Sequence, residues 1–295
     1  MNLWHLLVES GFLTNGPVRS ALEVGTVSAL VSAEVGVYVV VRRQSFAGHA
    51  LGDVATSGGA GAYYFGASAL AGFVVGALVG AAATNALGVA RSARRDVATG
   101  IVLGAASGLS ALFFYLDATH SAASGAAQQV LFGSLFSLSP SLLPVVGGAG
   151  AICAAVLIAI HRPLLLTSLS PELADARGVP RRAVGLIFLL TVALSVALAC
   201  VTIGSILATA LLIGPPASAL RLTRSPRGAL VLAGLIAVAV TWLGVLLAYD
   251  SFYWGAVSPG LPVSFFVVVL IFLTYVVAGV GSRSSSAPRR VGRST

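Results

Sequence analysis

The sequence predicts an all-α, polytopic transmembrane helix bundle of eight or nine spans, with the N-terminus outside and the C-terminus cytoplasmic. Three observations predict it. Of the 295 residues, 57% are hydrophobic and only 9% are charged, whereas a soluble domain carries about a quarter charged residues. Apolar runs of the ~20 residues needed to cross ~30 Å of hydrocarbon recur along the chain, and the mean hydropathy is +0.98. Arginines cluster in alternate loops between those runs, as expected if those loops share the cytoplasmic side.

Taken in order, the spans fall near 20–41, 47–67, 68–90, 97–116, 141–160, 183–201, 203–220, 229–249 and 261–281. Very short turns join the second to the third and the sixth to the seventh, which leaves the count at eight or nine. With the N-terminus outside, the loops of Arg42 and Arg43, Arg91 to Arg95, Arg162 to Arg182 and Arg221 to Arg227 lie inside, as does the tail after Arg283. Arg19 alone lies outside. The net charge of +8 is therefore a topology signal and not a nucleic-acid footprint. Residues 1–16 hold Leu3, Trp4, Leu7 and Phe12, are too short to span and lack the basic start of a signal peptide. They read as an interfacial N-terminal segment. Residues 17–281 make the transmembrane domain, and 282–295, rich in Ser, Arg and Pro, a disordered cytoplasmic tail.

All 17 basic residues are arginine. Without lysine the chain has no P-loop and no Schiff-base chemistry. Cys153 and Cys200 sit in apolar runs, which excludes a disulfide framework or a Cys-rich metal site. A membrane enzyme finds no support either, because no nucleophile–base pair or multi-His cluster is present.

Ionisable side chains in hydrocarbon are costly and are functional candidates by default. Glu23, Glu34, His49 and Asp53 qualify. His49 and Asp53, four residues apart, share one helix face about one turn apart. An imidazole and a carboxylate so placed suit a divalent first-row cation; a structural hydrogen-bonded pair is the alternative, and the membrane setting favours the functional one. Glu34 is a third candidate ligand. It shares a face of the first span with Glu23, where both either line a route or pack protonated. Asp117 and His120 read as residues of a solvated outer loop, and His5 and His161 as edge residues without a role.

Between Thr167 and Arg182 lies the longest polar stretch before the tail. Ser170 can cap a helix beginning at Pro171, with Glu172 favourable against the helix dipole and Gly178 ending it. Such a helix is either a docking element or a plain connector. Pro215 and Pro216 then either break the seventh span, freeing carbonyls as in transport routes, or mark its end.

The stretch Arg42-Arg43-Gln44-Ser45-Phe46-Ala47-Gly48-His49-Ala50-Leu51-Gly52-Asp53 resembles the Arg-Arg-x-Ser-x-x-Gly-Asp-x-x-x-His element of the zinc/manganese/iron ABC transporter permeases. Leu131-Phe132-Gly133, Ser170-Pro171-Glu172-Leu173-Ala174 through Gly178, and Ile203-Gly204 through Leu211-Leu212-Ile213-Gly214-Pro215-Pro216-Ala217 resemble the same family in the same order. The resemblance spans about residues 20–280. It implies the plasma-membrane permease subunit of an ATP-driven importer of zinc or manganese, with iron also in the family's range. It further implies a homodimer, cytoplasmic ATPase subunits and an external metal-binding protein as partners, with no permanently bound cofactor. In the family an Asp and a His of the second span guide the metal; here their order is inverted, with His49 at the Asp position and Asp53 at the His position. The helix from Ser170 through Pro171, Glu172, Leu173 and Ala174 to Gly178 matches the family's coupling helix, and Glu172 and Ala174 are expected against the ATPase. The rival reading is a proton- or sodium-coupled secondary carrier using Glu23, Glu34 and Asp53.

Overall fold

The computed structural model describes residues 12, 15–86, 92–120, 125–133, 135–137, 140–223, 225–252 and 260–285. Among them the chain is helical throughout: α1 (Gly16–Val41), α2 (Ser45–Tyr64), α3 (Ala69–Ala86), α4 (Ser92–His120), α5 (Ala126–Phe132), α6 (Leu143–Leu169), α7 (Pro171–Ala176), α8 (Arg181–Ile203), α9 (Ser205–Leu222), α10 (Pro226–Ser251) and α11 (Val263–Ser285). Eight of these are long and apolar enough to cross a membrane. The ninth long helix, α2, is not among the eight, because His49, Asp53 and a run of Gly, Ser and Thr lower its hydropathy. It packs on α3, α4, α8 and α9, with Asp53 half-buried and His49 exposed on the single chain.

Prolines set several starts. Pro17, Pro144, Pro171 and Pro226 stand in the first turn of α1, α6, α7 and α10, where a missing N–H costs nothing. At α10 the Ser225 side chain also accepts from the Gly228 N–H at 3.0 Å, an N-cap worth about 1 kcal/mol.

Helix α1 runs through the middle. On one side it joins α2, α3, α6 and α8 around Leu51, Leu164, Phe188 and Leu198; on the other it joins α9, α10 and α11 around Leu211, Val245 and Val267. Small residues allow the approach. Ala21, Gly25, Ala29 and Ala33 recur every four residues on α1, as Ala229, Ala233 and Ala237 do on α10, and all are buried. In lipid, where apolar surface gains little by leaving one apolar medium for another, such close packing supplies the attraction. Buried hydroxyls add to it, with Thr202 donating to Ser28 at 3.0 Å.

The tandem prolines do not break or end α9, which continues through Pro215 and Pro216 to Leu222. Proline lacks the N–H that would reach the carbonyl four residues earlier, so Leu212 loses its helical donor at Pro216. Gly36 of α1 fills the place beside it: a Cβ there would overlap the Leu212 carbonyl oxygen. The freed carbonyl and a glycine on the neighbouring helix thus lie side by side.

Three other expectations change. Asp117 and His120 belong to the last turn of α4, with Asp117 buried, and are not in a loop. Helix α11 runs to Ser285, past the expected end at 281. Ser170 occupies the N-cap of α7, but its side chain makes no capping hydrogen bond. Of the interfacial segment, Phe12 is described, stacked edge-on against Tyr249 at 5.5 Å; residues 1–11 and 286–295 lie outside the described residues, and with them His5.

Candidate functional site

His49 and Asp53 lie one turn apart on α2, but they turn to different neighbours. His49 is exposed, and its Nδ1 lies 3.0 Å from the Thr209 hydroxyl of α9. Asp53 is half-buried and accepts from the Ser107 hydroxyl of α4 at 3.1 Å. Gly52 faces the same region: a Cβ there would sit in ordinary contact with Val196, at 3.5 Å, and with the Thr209 hydroxyl, at 3.8 Å. The pair is therefore not a self-contained imidazole–carboxylate hydrogen bond. Each donor is oriented by a hydroxyl from another helix and keeps further lone pairs for a ligand. Thr209 and Ser107 were missed by sequence reasoning, since nothing local shows that a hydroxyl such as that of Ser107, which also lies 2.9 Å from the Leu103 carbonyl of its own helix, reaches a ligand-bearing helix.

Glu34 does not join them. No group of three or more His, Cys, Asp or Glu side chains converges among the described residues, so the structure leaves Glu34 apart from the His49–Asp53 pair. Glu23 is held by Arg19 at 2.9 Å near the start of α1. Among the described residues no hydrogen bond links Glu23, Glu34 and Asp53 into the relay that a secondary carrier would need. His161, in contrast, has a structural partner. Its Nδ1 lies 2.5 Å from the hydroxyl of buried Tyr38, whose ring meets Phe188 edge-on at 6.4 Å. Arg42 lies over the same Phe188 ring, 5.4 Å from its centroid, and donates to Thr167 and Ser168 at 3.1 and 3.0 Å. This polar cluster ties the end of α1 to α6 and α8.

Helix α7 stands at that arginine end. Pro171 opens it and Glu172 lies in its first turn. Gly178, at φ 68°, closes it with its N–H on the Asp175 carbonyl at 3.0 Å. Pro171, Glu172 and Leu173 are exposed, whereas Ala174 is fully buried within the chain. Ala174 thus cannot face a partner as expected: it is the residue that seats α7 on its own bundle, and Leu173 is the outward apolar side chain. Asp175 pairs with Arg181 at 2.9 Å, joining α7 to α8.

At the opposite end, a cavity of about 730 Å³ is lined by Gln128, Phe132, Gly133, Ile203, Leu261 and Ser264 among others. Two of the motifs that carry the family resemblance meet there.

The chain and its fold resemble known proteins. The chain is 28% identical over 234 residues, 77% of each chain, to the manganese transport system membrane protein MntC of Halalkalibacterium halodurans. It is 29% identical over 251 residues, covering 85% of this chain and 94% of the other, to the high-affinity zinc uptake system membrane protein ZnuB of Haemophilus influenzae. The fold matches that of PsaBC from Streptococcus pneumoniae, solved in complex with a Fab, at a TM-score of 0.78 and 22% identity over 94% of this chain and 95% of that one. The sequence profile of the ABC 3 transport family matches residues 17–279, nearly the whole described bundle, and the chain belongs to that family.

Proposed function

We propose that this chain is the plasma-membrane permease subunit of an ATP-driven importer of a divalent metal cation, zinc or manganese, with iron also in range. The observation that carries this reading is the placement of a nitrogen and an oxygen donor, His49 and Asp53, on the one long described helix that falls short of a membrane span in hydropathy and packs on four others. Relatives named for manganese and zinc transport, and a 26% identical chelated iron transport system membrane protein from Yersinia pestis, support the cargo class. Several first-row ions accept such donors, and affinity order alone selects none of them.

Two protein donors fall short of the four ligands of a closed tetrahedral site. A second copy of the chain would supply two more, and His49 is exposed on the single chain. Helix α4, which carries Ser107, also presents Gly100, Gly104 and Gly108 four residues apart, and a Cβ on any of them would meet nothing within 4 Å. Such a stripe fits close approach of another helix in lipid and supports a homodimer with the metal route beside its interface.

The arginine end faces the cytoplasm by the positive-inside rule, which puts the N-terminus outside. Helix α7 then projects Glu172 and Leu173 toward cytoplasmic ATPase subunits, and an external metal-binding protein delivers cargo to the opposite end. The test is uptake of radiolabelled manganese or zinc into vesicles holding the chain together with its ATPase. Uptake should require ATP inside the ATPase-facing compartment. Uptake driven by a proton or sodium gradient without ATP would overturn the reading in favour of the secondary carrier.

A further inference from the structure

The arginine end holds a cleft of about 960 Å³ whose described lining does not include His49 or Asp53. The turn between α1 and α2, the end of α3, and α6, α7 and α8 all contribute to its wall. Its mouth is basic, with Arg42, Arg181 and Arg182 among the lining residues. Asp175 is the one carboxylate of the described lining, and Arg181 already holds it. Farther along α8 the wall becomes apolar at Leu186 and Leu189. From Arg182 to Leu189 the helix rises about 10 Å, the length over which the wall passes from charged to apolar.

Arg181 and Arg182 also stand in the first turn of α8, at the positive end of the helix dipole, where cations are disfavoured. One carboxylate does not balance two guanidinium groups and a helix terminus. An anionic oxygen cluster would satisfy all three, since guanidinium forks match phosphate geometry.

We propose that this cleft binds an anionic phospholipid of the inner leaflet, with the phosphate held by Arg181 and Arg182 and an acyl chain lying along Leu186 and Leu189. Asn85 of α3, exposed at the cleft, supplies a neutral polar contact for the headgroup. A free phosphate would use the charged mouth but leave the apolar wall uncovered. An acidic protein segment would also stop at the mouth. A lipid alone matches both halves, and by bridging α3, α7 and α8 it would steady the base of α7. The proposal requires the arginine end to lie at a headgroup layer and is independent of which cargo moves.

The experiment is native mass spectrometry of the purified full-length chain after delipidation and incubation with phosphatidylglycerol, phosphatidylcholine or inorganic phosphate. Wild type should retain one phosphatidylglycerol per chain in preference to phosphatidylcholine, and excess inorganic phosphate should not displace it. Arg181→Gln and Arg182→Gln should each weaken retention about fivefold, the effect of one basic residue at an anionic surface. Arg182→Gln leaves the Asp175–Arg181 pair intact. Leu189→Trp keeps every charge and fills the wall; it should weaken retention as well, and it decides the matter if the arginine variants fail to fold. Equal retention of the two lipids, or retention untouched by Leu189→Trp, overturns the proposal. Displacement by inorganic phosphate would make the cleft a free-anion site and overturn it too. So would arginine variants that lose the ATPase in lipid-free detergent while keeping the lipid, which would make the cleft a protein-docking surface.

Discussion

Gly133 and Gly204 meet backbone to backbone at the end of the bundle opposite the arginines, and each occupies a conformation reserved for glycine. Their φ/ψ values are 77°/177° and 98°/154°. A Cβ on Gly133 would overlap the backbone of Ile203 and Gly204, and one on Gly204 would overlap Leu131 and Gly133. The Leu-Phe-Gly and Ile-Gly motifs, 71 residues apart by these numbers, are thus two halves of one contact, which Ser264 reinforces by donating to the Phe132 carbonyl at 3.0 Å.

Gly204→Ala is therefore expected to destabilise the chain by about 1–3 kcal/mol from backbone strain alone, with overlap adding to it. Thermal unfolding in detergent followed by size-exclusion chromatography measures this. A wild-type melting temperature in that variant would show that the two backbones do not touch.

For the metal route, His49→Ala and Asp53→Ala should each abolish most metal uptake while the ATPase still co-purifies. Thr209→Val and Ser107→Ala leave both donors in place but remove their orienting hydroxyls. Loss of such outer partners costs about tenfold or more in metal affinity, so uptake should need correspondingly more metal. If the hydroxyl variants match wild type over a metal titration, the hydrogen bonds do not orient the ligands.

At α7 the burial of Ala174 separates two outcomes. Ala174→Arg forces a guanidinium into a packed site, and overpacking costs about 1–3 kcal/mol or more, so it should lower the melting temperature of the isolated chain. Leu173→Arg changes an exposed residue and should leave that temperature unchanged while weakening co-purification of the ATPase. Normal ATP-driven uptake by the Leu173→Arg variant would remove α7 from the coupling machinery.

Tyr38→Phe removes the hydroxyl that meets His161. A hydrogen bond of this type contributes about 1 kcal/mol net, and the cost should appear as a lower melting temperature with ATP-driven uptake retained. Loss of uptake at unchanged stability would assign this cluster a part in transport that its position at the base of α1, α6 and α8 does not call for.

Gly104→Leu places a large side chain in the middle of the open stripe on α4. The folded single chain has room for it, so stability should hold; the homodimer should be lost, read as mass by light scattering in detergent. A dimer of unchanged mass would move the interface to another face.

Much of this protein is determined by its sequence alone, because a bilayer imposes rules that act locally. Length and hydropathy suffice for eight of the nine long described helices, and Pro171 and Gly178 for the start and end of α7, since each depends on a few neighbouring residues. His49 and Asp53 were legible for the same reason: polar groups in an apolar context are conspicuous. Tertiary structure decided what those residues face. Thr209 and Ser107 are 160 and 54 residues from the groups they touch, Tyr38 and His161 are 123 apart, and the Leu212 carbonyl finds Gly36 on another helix. Burial of Ala174 beneath α7 and survival of α9 through two prolines belong to the same class. Each depends on the rotation of one helix about its axis and on which neighbour packs against it, and that choice is made by shape-matched packing of small residues across the whole bundle.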